Sequence, residues 1–212
     1  MPDGGCDRPA RWRILVDVAR TCFQIELCET VLAGARRGDA RALEQIYRAF
    51  ERPAYTLALR MLGHPESARE SVHDAMLHVF ERIRQFRGDA PFWGWLRRIV
   101  VNEALMRMRR ERGMPFESLP EEPDAPADAE PPWRLADAAQ LQAALARLPA
   151  LTRSVLWLYH VEEYTHQEIA ELTGKTASFS KSQVMRGGQR LRALLESREQ
   201  EAAPWLTPAT TN

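Results

Sequence analysis

The stretch THQEIAELTGKTASFSKSQVMRGGQRLR runs from Thr165 to Arg192 and decides the fold of everything around it. Thr165 followed by Glu168 is a capping box: the hydroxyl and the carboxylate each satisfy an amide hydrogen left free at a helix start. Ile169 and Leu172 then face inward, Ala170 is small where a crossing helix would approach, and Gly174 suits the left-handed position after a helix. Ser178 and Ser180 are candidate caps for a last helix whose inner face is Val184 and Leu191. Gly187 and Gly188 lie inside that helix, where each costs about 1 kcal/mol relative to Ala, so its C-terminal half is expected to fray or bend. Two helices joined by a glycine turn make a helix-turn-helix.

Working outward, Leu141, Leu145 and Leu148 predict a short helix ended by Pro149, and Val155, Leu156, Leu158 and Tyr159 predict another. Residues 138–196 therefore read as a four-helix domain, followed by a tail at 197–212. Upstream, residues 113–137 change character. PEEPDAPADAEPP has five prolines in thirteen residues with acids between them, and such a composition buries too little apolar surface to offset the entropy of ordering it. A flexible acidic linker is expected there.

Before the linker, residues 29–112 show helical apolar spacing almost throughout. Val31, Leu32 and Ala35 predict a first helix closed by RRGD at Arg36–Asp39. Leu43, Ile46, Tyr47 and Phe50 recur at i, i+3, i+4 and i+7, and Leu57, Ala58, Met61 and Leu62 extend the stripe past an expected kink at Pro53. GHPES at Gly63–Ser67 stops that helix, and Pro65 suits the first turn of the next, whose buried face runs from Ala68 to Ile83. A third stripe runs from Phe92 to Met108. No segment alternates like a strand, so the chain reads as all-α: two small helical domains and a linker.

With 212 residues, 45% hydrophobic and 27% charged, the chain has an ordinary globular composition. Its 29 basic and 29 acidic residues cancel, but not evenly along its length. From Gly34 to Arg112 there are 16 basic and 10 acidic residues, net +6; residues 113–137 hold 1 and 7, net −6; residues 138–196 hold 7 and 5, net +2. Cys6, Cys22 and Cys28 form no CxxC, which supports neither a zinc site nor a disulfide framework and favours a reducing cytoplasm. ILVDVARTCFQIEL is interrupted by Asp17, Arg20 and Glu26 and is too charged to span a bilayer. Two readings stay open for residues 1–28: an added amphipathic helix, or sequence upstream of the true start.

Ser178, Lys181, Ser182, Gln183, Arg186 and Arg190 lie mainly away from the Val184/Leu191 face. Near the start of such a helix Gln can pair with an adenine edge, and Lys or Arg with guanine or phosphate. In the first domain FRGDAPFWGWLRRIVVNEALMRMRRER sets Phe86, Phe92, Trp93 and Trp95 beside Arg87, Arg97, Arg98, Arg107, Arg109 and Arg110. Rings beside cations are what an unstacked single strand requires. Phe92 and Trp95 fall on the apolar stripe and read as core, leaving Trp93, Arg97 and Asn102 as the exposed members.

These two blocks, in this order and with this linker, resemble the extracytoplasmic-function (ECF) sigma factors, the promoter-recognition subunits of bacterial RNA polymerase. The resemblance is carried by GDARALEQIYRAFERPAYTLALRMLGHPESARESVHDAMLHVFERIRQFRGDAPFWGWLRRIVVNEALMRMRR and LARLPALTRSVLWLYHVEEYTHQEIAELTGKTASFSKSQVMRGGQRLR, about two thirds of the chain. It implies that 29–112 is a sigma-two-like domain in which Glu70, His73 and Asp74 dock on the polymerase clamp coiled coil. It also implies that the loop from Phe86 through Arg87 to Phe92 reads a flipped base of the minus-ten element, that Trp93, Arg97, Arg98 and Asn102 belong to the neighbouring DNA surface, and that Arg109 and Arg110 meet phosphates. The sigma-four-like domain, 138–196, would read the minus-thirty-five element and meet the polymerase flap. There Lys181 and Ser182 match a frequent family pair while Gln183 replaces a usual Arg. The acidic linker would thread the RNA channel. The resemblance further implies an anti-sigma partner, often membrane-bound, and a cytoplasmic protein associated with the nucleoid when active. It implies no cofactor, metal or small-molecule substrate.

Two other readings compete. A stand-alone helix-turn-helix regulator would use the first domain for dimerisation or ligand binding and would protect duplex DNA without polymerase. An enzyme would need more than His73, Asp74 and His78: Asp74 and His78 are four apart on one helix face, but no second ligand set, nucleophile-base pair or phosphate loop accompanies them.

Overall fold

The computed structural model describes residues 23–112 and 138–202. Residues 1–22, the expected linker at 113–137 and residues 203–212 lie outside the described residues. The described chain is helical: α1 (Glu29–Arg36), α2 (Ala40–Leu62), α3 (Pro65–Arg82) with a short 3-10 turn (Ile83–Gln85), α4 (Phe92–Arg112), α5 (Ala138–Ala146), α6 (Ala150–His160), α7 (His166–Thr173) and α8 (Ala177–Ala202).

Local chemistry sets the boundaries. Asp39 caps α2 by accepting a hydrogen bond from the Arg41 amide. At the other end Gly63 adopts φ +82°, the left-handed conformation that closes the helix, and Pro65 opens α3 at a position where its missing N–H is no loss. The expected kink at Pro53 does not divide α2, which is assigned as one helix of 23 residues with Pro53 buried inside it. The capping box at Thr165 and Glu168 is complete, and Gly174 closes α7 with φ +69°. The start of α8 differs from expectation. Thr176 is the cap, its hydroxyl accepting from the Phe179 amide at 3.0 Å, so Ser178 and Ser180 already lie within the helix.

The first domain packs α1 to α4 around Ile46, Phe50, Leu57, Met61, Met76 and Leu96. Phe23 joins this core, its ring stacked on Phe50 at 6.3 Å, so the chain ahead of α1 contributes to the domain rather than only extending it. In the second domain α8 crosses α6 at Gly187. A Cβ built there would lie 2.6 Å from the Thr152 methyl and 3.0 Å from Leu156 Cδ1. The expectation that the glycine pair marks a weak point is thus corrected for Gly187, whose missing side chain permits the close approach. The first six residues assigned to a tail, 197–202, continue α8. No helix among the described residues is long and apolar enough to cross a membrane.

The two domains touch. Arg153 of α6 is buried, 5% exposed, and donates through Nε to the Met61 carbonyl (3.0 Å) and through Nη2 to the Leu62 carbonyl (2.5 Å). Ser154 also reaches the Met61 carbonyl, at 3.4 Å.

Candidate nucleic-acid interface

On α8, Ser178, Lys181 and Arg190 are exposed, while Ser182 and Arg186 are half-buried. Gln183 is 0% exposed and accepts a hydrogen bond from the Thr152 hydroxyl at 2.7 Å. Its expected place among the DNA readers is therefore corrected: a buried amide must find an internal partner, and Gln183 found one on α6. It anchors α8 where Gly187 brings the two helices together. A second anchor comes from α7, where His166 stacks on Tyr159 with ring centroids 4.4 Å apart and has Nδ1 3.0 Å from Ser180 Oγ. Burial, with Lys181 nearby, holds the His166 pKa below its ordinary value. The Thr165 amide bonded to Glu168 lowers the pKa of that carboxyl, so the box is made by a carboxylate. Together these contacts fix α8 with Ser178, Lys181 and Arg190 outward.

The first domain's candidate surface is less open. Phe86 is 8% exposed and forms one aromatic cluster with Phe92 (5.3 Å) and Trp95 (5.4 Å). Within the loop expected to read a flipped base, Phe86 is therefore a core side chain: it anchors one end of the loop and Phe92 the other, leaving Arg87 to Pro91 exposed between them. On α4, Arg98, Asn102, Arg109 and Arg110 are exposed and Trp93 is half-buried. Arg97 lies between the rings of Trp93 (5.3 Å) and Tyr164 (4.9 Å) and donates to the Glu162 carbonyl (3.1 Å) and carboxylate (3.4 Å). Arg109 donates to the Leu172 carbonyl at 3.3 Å. Both of these expected DNA contacts are turned toward the second domain.

Among the expected polymerase contacts on α3, His73 is exposed, but Glu70 and Asp74 share one partner on α4. Arg107 bonds to the Glu70 carboxylate and to Asp74 at 3.1 Å. Burial alone would lower the Arg107 pKa; the hydrogen bonds and charges of Asp74 and Glu70 outweigh it and raise it. Arg107 was read only as part of a basic run, and no sequence spacing pairs it with residues 33 and 37 positions earlier. Leu77, one turn beyond His73, is 47% exposed and is the large apolar residue left in solvent among the described residues. His78 faces Glu103, with Nδ1 2.7 Å from Oε1, and no group of three or more His, Cys, Asp or Glu that could hold a metal occurs among the described residues.

Comparison with known proteins gives this arrangement a family. Residues 46–113 match the Sigma-70 region 2 family and residues 138–191 match Sigma-70, region 4. The ECF RNA polymerase sigma factor SigM of Mycobacterium tuberculosis is 33% identical over 165 residues, covering 78% of this chain and 83% of the relative. SigE of Mycolicibacterium smegmatis, also an ECF sigma factor, is 30% identical over 174 residues, covering 78% and 67%. The sigma factor RpoE from Bartonella quintana, solved in complex with the anti-sigma factor NepR, has the same fold at a TM-score of 0.51 and 22% identity, covering 72% of this chain and 96% of that one. A region-two domain followed by a region-four helix-turn-helix, in relatives matched over most of their length, places this chain among the ECF RNA polymerase sigma factors, which act in transcription initiation.

Proposed function

We propose that this sigma factor divides promoter reading between α8, which meets the minus-thirty-five element as duplex, and the Arg87–Pro91 loop with α4, which meets the melted minus-ten strand. The observation that carries the reading is the fixed outward placement of Ser178 and Lys181 in the first two turns of a helix braced from behind by Gln183, Gly187 and His166. A helix held this rigidly presents its N-terminal side chains to a major groove in one register. Lys181 supplies base-edge or phosphate contacts, with Ser178, Ser182 and Arg186 beside it. In the first domain Trp93 offers a ring for an unstacked base, and Arg87, Arg98, Asn102 and Arg110 offer donors along the strand. Splaying a base out of the duplex costs a few kcal/mol, and stacking plus phosphate contacts offset it. The polymerase performs the chemistry.

The α3 face carrying Glu70, His73 and Asp74 is the surface we assign to the polymerase clamp, with Arg107 holding the two carboxylates in place; the second domain is assigned to the flap. Because the Bartonella RpoE was solved with an anti-sigma factor, we also assign this chain an anti-sigma partner, membrane-bound or soluble, and a cytoplasmic place of action. The acidic linker is assigned to the RNA channel, where its charge would mimic a nucleic acid backbone.

In vitro transcription with core polymerase, over a promoter pool that includes the gene's own upstream region, tests the reading. Initiation should depend on this chain and fall at least about tenfold in the Lys181→Ala/Arg186→Ala double variant, since each good base contact contributes about 1–3 kcal/mol. Undiminished initiation by that variant would move minus-thirty-five reading off α8. Protection of duplex DNA by the chain alone, without polymerase-dependent initiation, would favour a stand-alone regulator.

A further inference from the structure

The loop Arg87–Pro91 is exposed, yet both of its ends are fixed. At the far end the Pro91 carbonyl accepts from the amides of Gly94 (3.0 Å) and Trp95 (3.3 Å), the first bonds of α4. At the near end the Phe86 amide donates to the Ile83 carbonyl at 3.2 Å, and the Phe86 carbonyl accepts from Arg36 Nη2 at 3.3 Å, across 50 positions of sequence. Between the ends Gly88 has φ +83°, and the space where its Cβ would stand is open.

Arg36 is the last residue of α1, and the contact is reciprocal. At that helix end the carbonyls of Ala33, Gly34 and Ala35 are taken by the amides of Arg37, Gly38 and Asp39. The Arg36 carbonyl is taken by Arg84 Nε at 3.0 Å, from the 3-10 turn that leads into Phe86, and a cation is matched to the negative end of a helix dipole. Each element thus gives an arginine to the other's backbone. The Arg36 guanidinium also lies over the Phe86 ring, 5.8 Å from its centroid, while Nη1 donates to Glu29 Oε1 at 3.1 Å, so the two prongs of the fork set its orientation. A row of rings continues the support: Phe23 packs on Phe50 (6.3 Å), Phe50 on Phe92 (5.8 Å) and Phe92 on Phe86 (5.3 Å). The near end of the loop therefore rests on α1, and the far end on α2.

We propose that Arg36 and Arg84 are positioning residues for minus-ten reading: their exchange of hydrogen bonds fixes the Phe86–Arg87 peptide, and with it the direction in which Arg87 and the loop leave the domain. The proposal rests on the reading of this loop as the base reader. A carbonyl held by a charged donor fixes the plane of its own peptide, and the amide of that peptide belongs to Arg87. A loop oriented before DNA arrives loses less conformational freedom on binding it. A base is told from its neighbours only when the groups that meet it are held in one register. Neither arginine touches DNA in this role.

The test is binding of the holoenzyme, core polymerase with the full chain, to a fork-junction DNA from a promoter at which it initiates. The minus-ten strand is single, and each of its bases is replaced in turn by an abasic site. For wild type, one abasic site should weaken binding by about tenfold, the loss of one stacked base, and so mark the base that the loop takes. Arg36→Met and Arg84→Met, which keep an apolar stem but lose the donor, should each weaken binding to intact DNA by about fivefold and shrink the abasic effect to about twofold, the order expected for one hydrogen bond lost. That ratio does not respond to a loss of folded protein, which lowers binding to both DNAs alike. Arg36→Lys, which keeps a donor for the Phe86 carbonyl, should restore part of the ratio, and the exposed neighbour changed as Arg37→Ala should match wild type. The slope of log affinity against log salt should not move, whereas an arginine that met a phosphate would lower it by about one. If Arg36→Met lost its helical circular dichroism, the exposed Arg84 would carry the test. A full abasic effect in the folded Met variants, or a salt slope lowered by about one, would overturn the positioning role. If no abasic site weakened binding of the wild type, the reading of the loop as base reader would itself fall.

Discussion

The helices α4 and α8 carry the same kind of signal, an apolar stripe with cations beside it, yet the fold uses them differently. On α8 the cations Lys181 and Arg190 are exposed, and the helix is pressed against its own domain through Gly187, Gln183 and Ser180. On α4 Arg97 and Arg109 reach the second domain, while Arg107 is held by Glu70 and Asp74. A basic helix is therefore not yet a basic surface. What decides is whether the carbonyls and carboxylates of neighbouring elements reach each guanidinium before solvent or nucleic acid does.

Substitutions can break this contrast at its strongest point first. Gly187→Ala puts a methyl where 2.6 Å separates it from Thr152, and overpacking of this kind costs about 1–3 kcal/mol. Thermal melting should report a clear loss, together with weaker minus-thirty-five binding; a variant as stable as wild type would mean that α8 does not press on α6. Thr165→Ala removes the hydroxyl of the capping box that starts α7, and a lost cap costs about 1 kcal/mol, readable as a shift in urea midpoint. Gly94 of α4 is the counterpart of Gly187, because a Cβ there meets nothing within 4 Å. Gly94→Ala should accordingly stabilise the chain by up to about 1 kcal/mol, and a loss instead would mean that something covers that face.

The smallest effect expected is a pH dependence belonging to α7. Burial lowers the folded pKa of His166 below 6.5, so in the window below 6.5 the unfolded chain binds more protons than the folded one. Stability is then full above pH 6.5 and declines as pH falls from there through the lowered folded value. His166→Gln should flatten melting temperature against pH across that window, and an unchanged slope would assign the dependence to other groups.

The helix-turn-helix was legible because its signals are local. A capping box spans four residues, a glycine in the left-handed conformation needs only its own φ, and apolar spacing repeats within two turns; Thr165, Gly174, Gly63 and Pro65 all stand where those rules put them. The cap of α8 was missed because Thr176, Ser178 and Ser180 are equally able to cap, and helix packing chose among them. Gln183 was misread for a related reason. An amide suits a base edge or a buried hydroxyl, and only the position of Thr152, 31 residues away, settles which it meets.

The sequence by itself determined the all-helical class, the helix ends marked by Thr165, Gly174, Gly63 and Pro65, and the residue types on most faces, since these follow from propensities and periodicities within a few residues. Only the tertiary structure decided that Gly187 is a contact point, that Phe86 belongs to an aromatic core, that Arg107 serves the acids of α3, and that Arg97, Arg109 and Arg153 cross between domains. The physical reason is common to all four. The environment of a guanidinium, a ring or a glycine is supplied by atoms far away in sequence, and a side chain's chemistry states what it can bond without stating what will be within 3 Å of it.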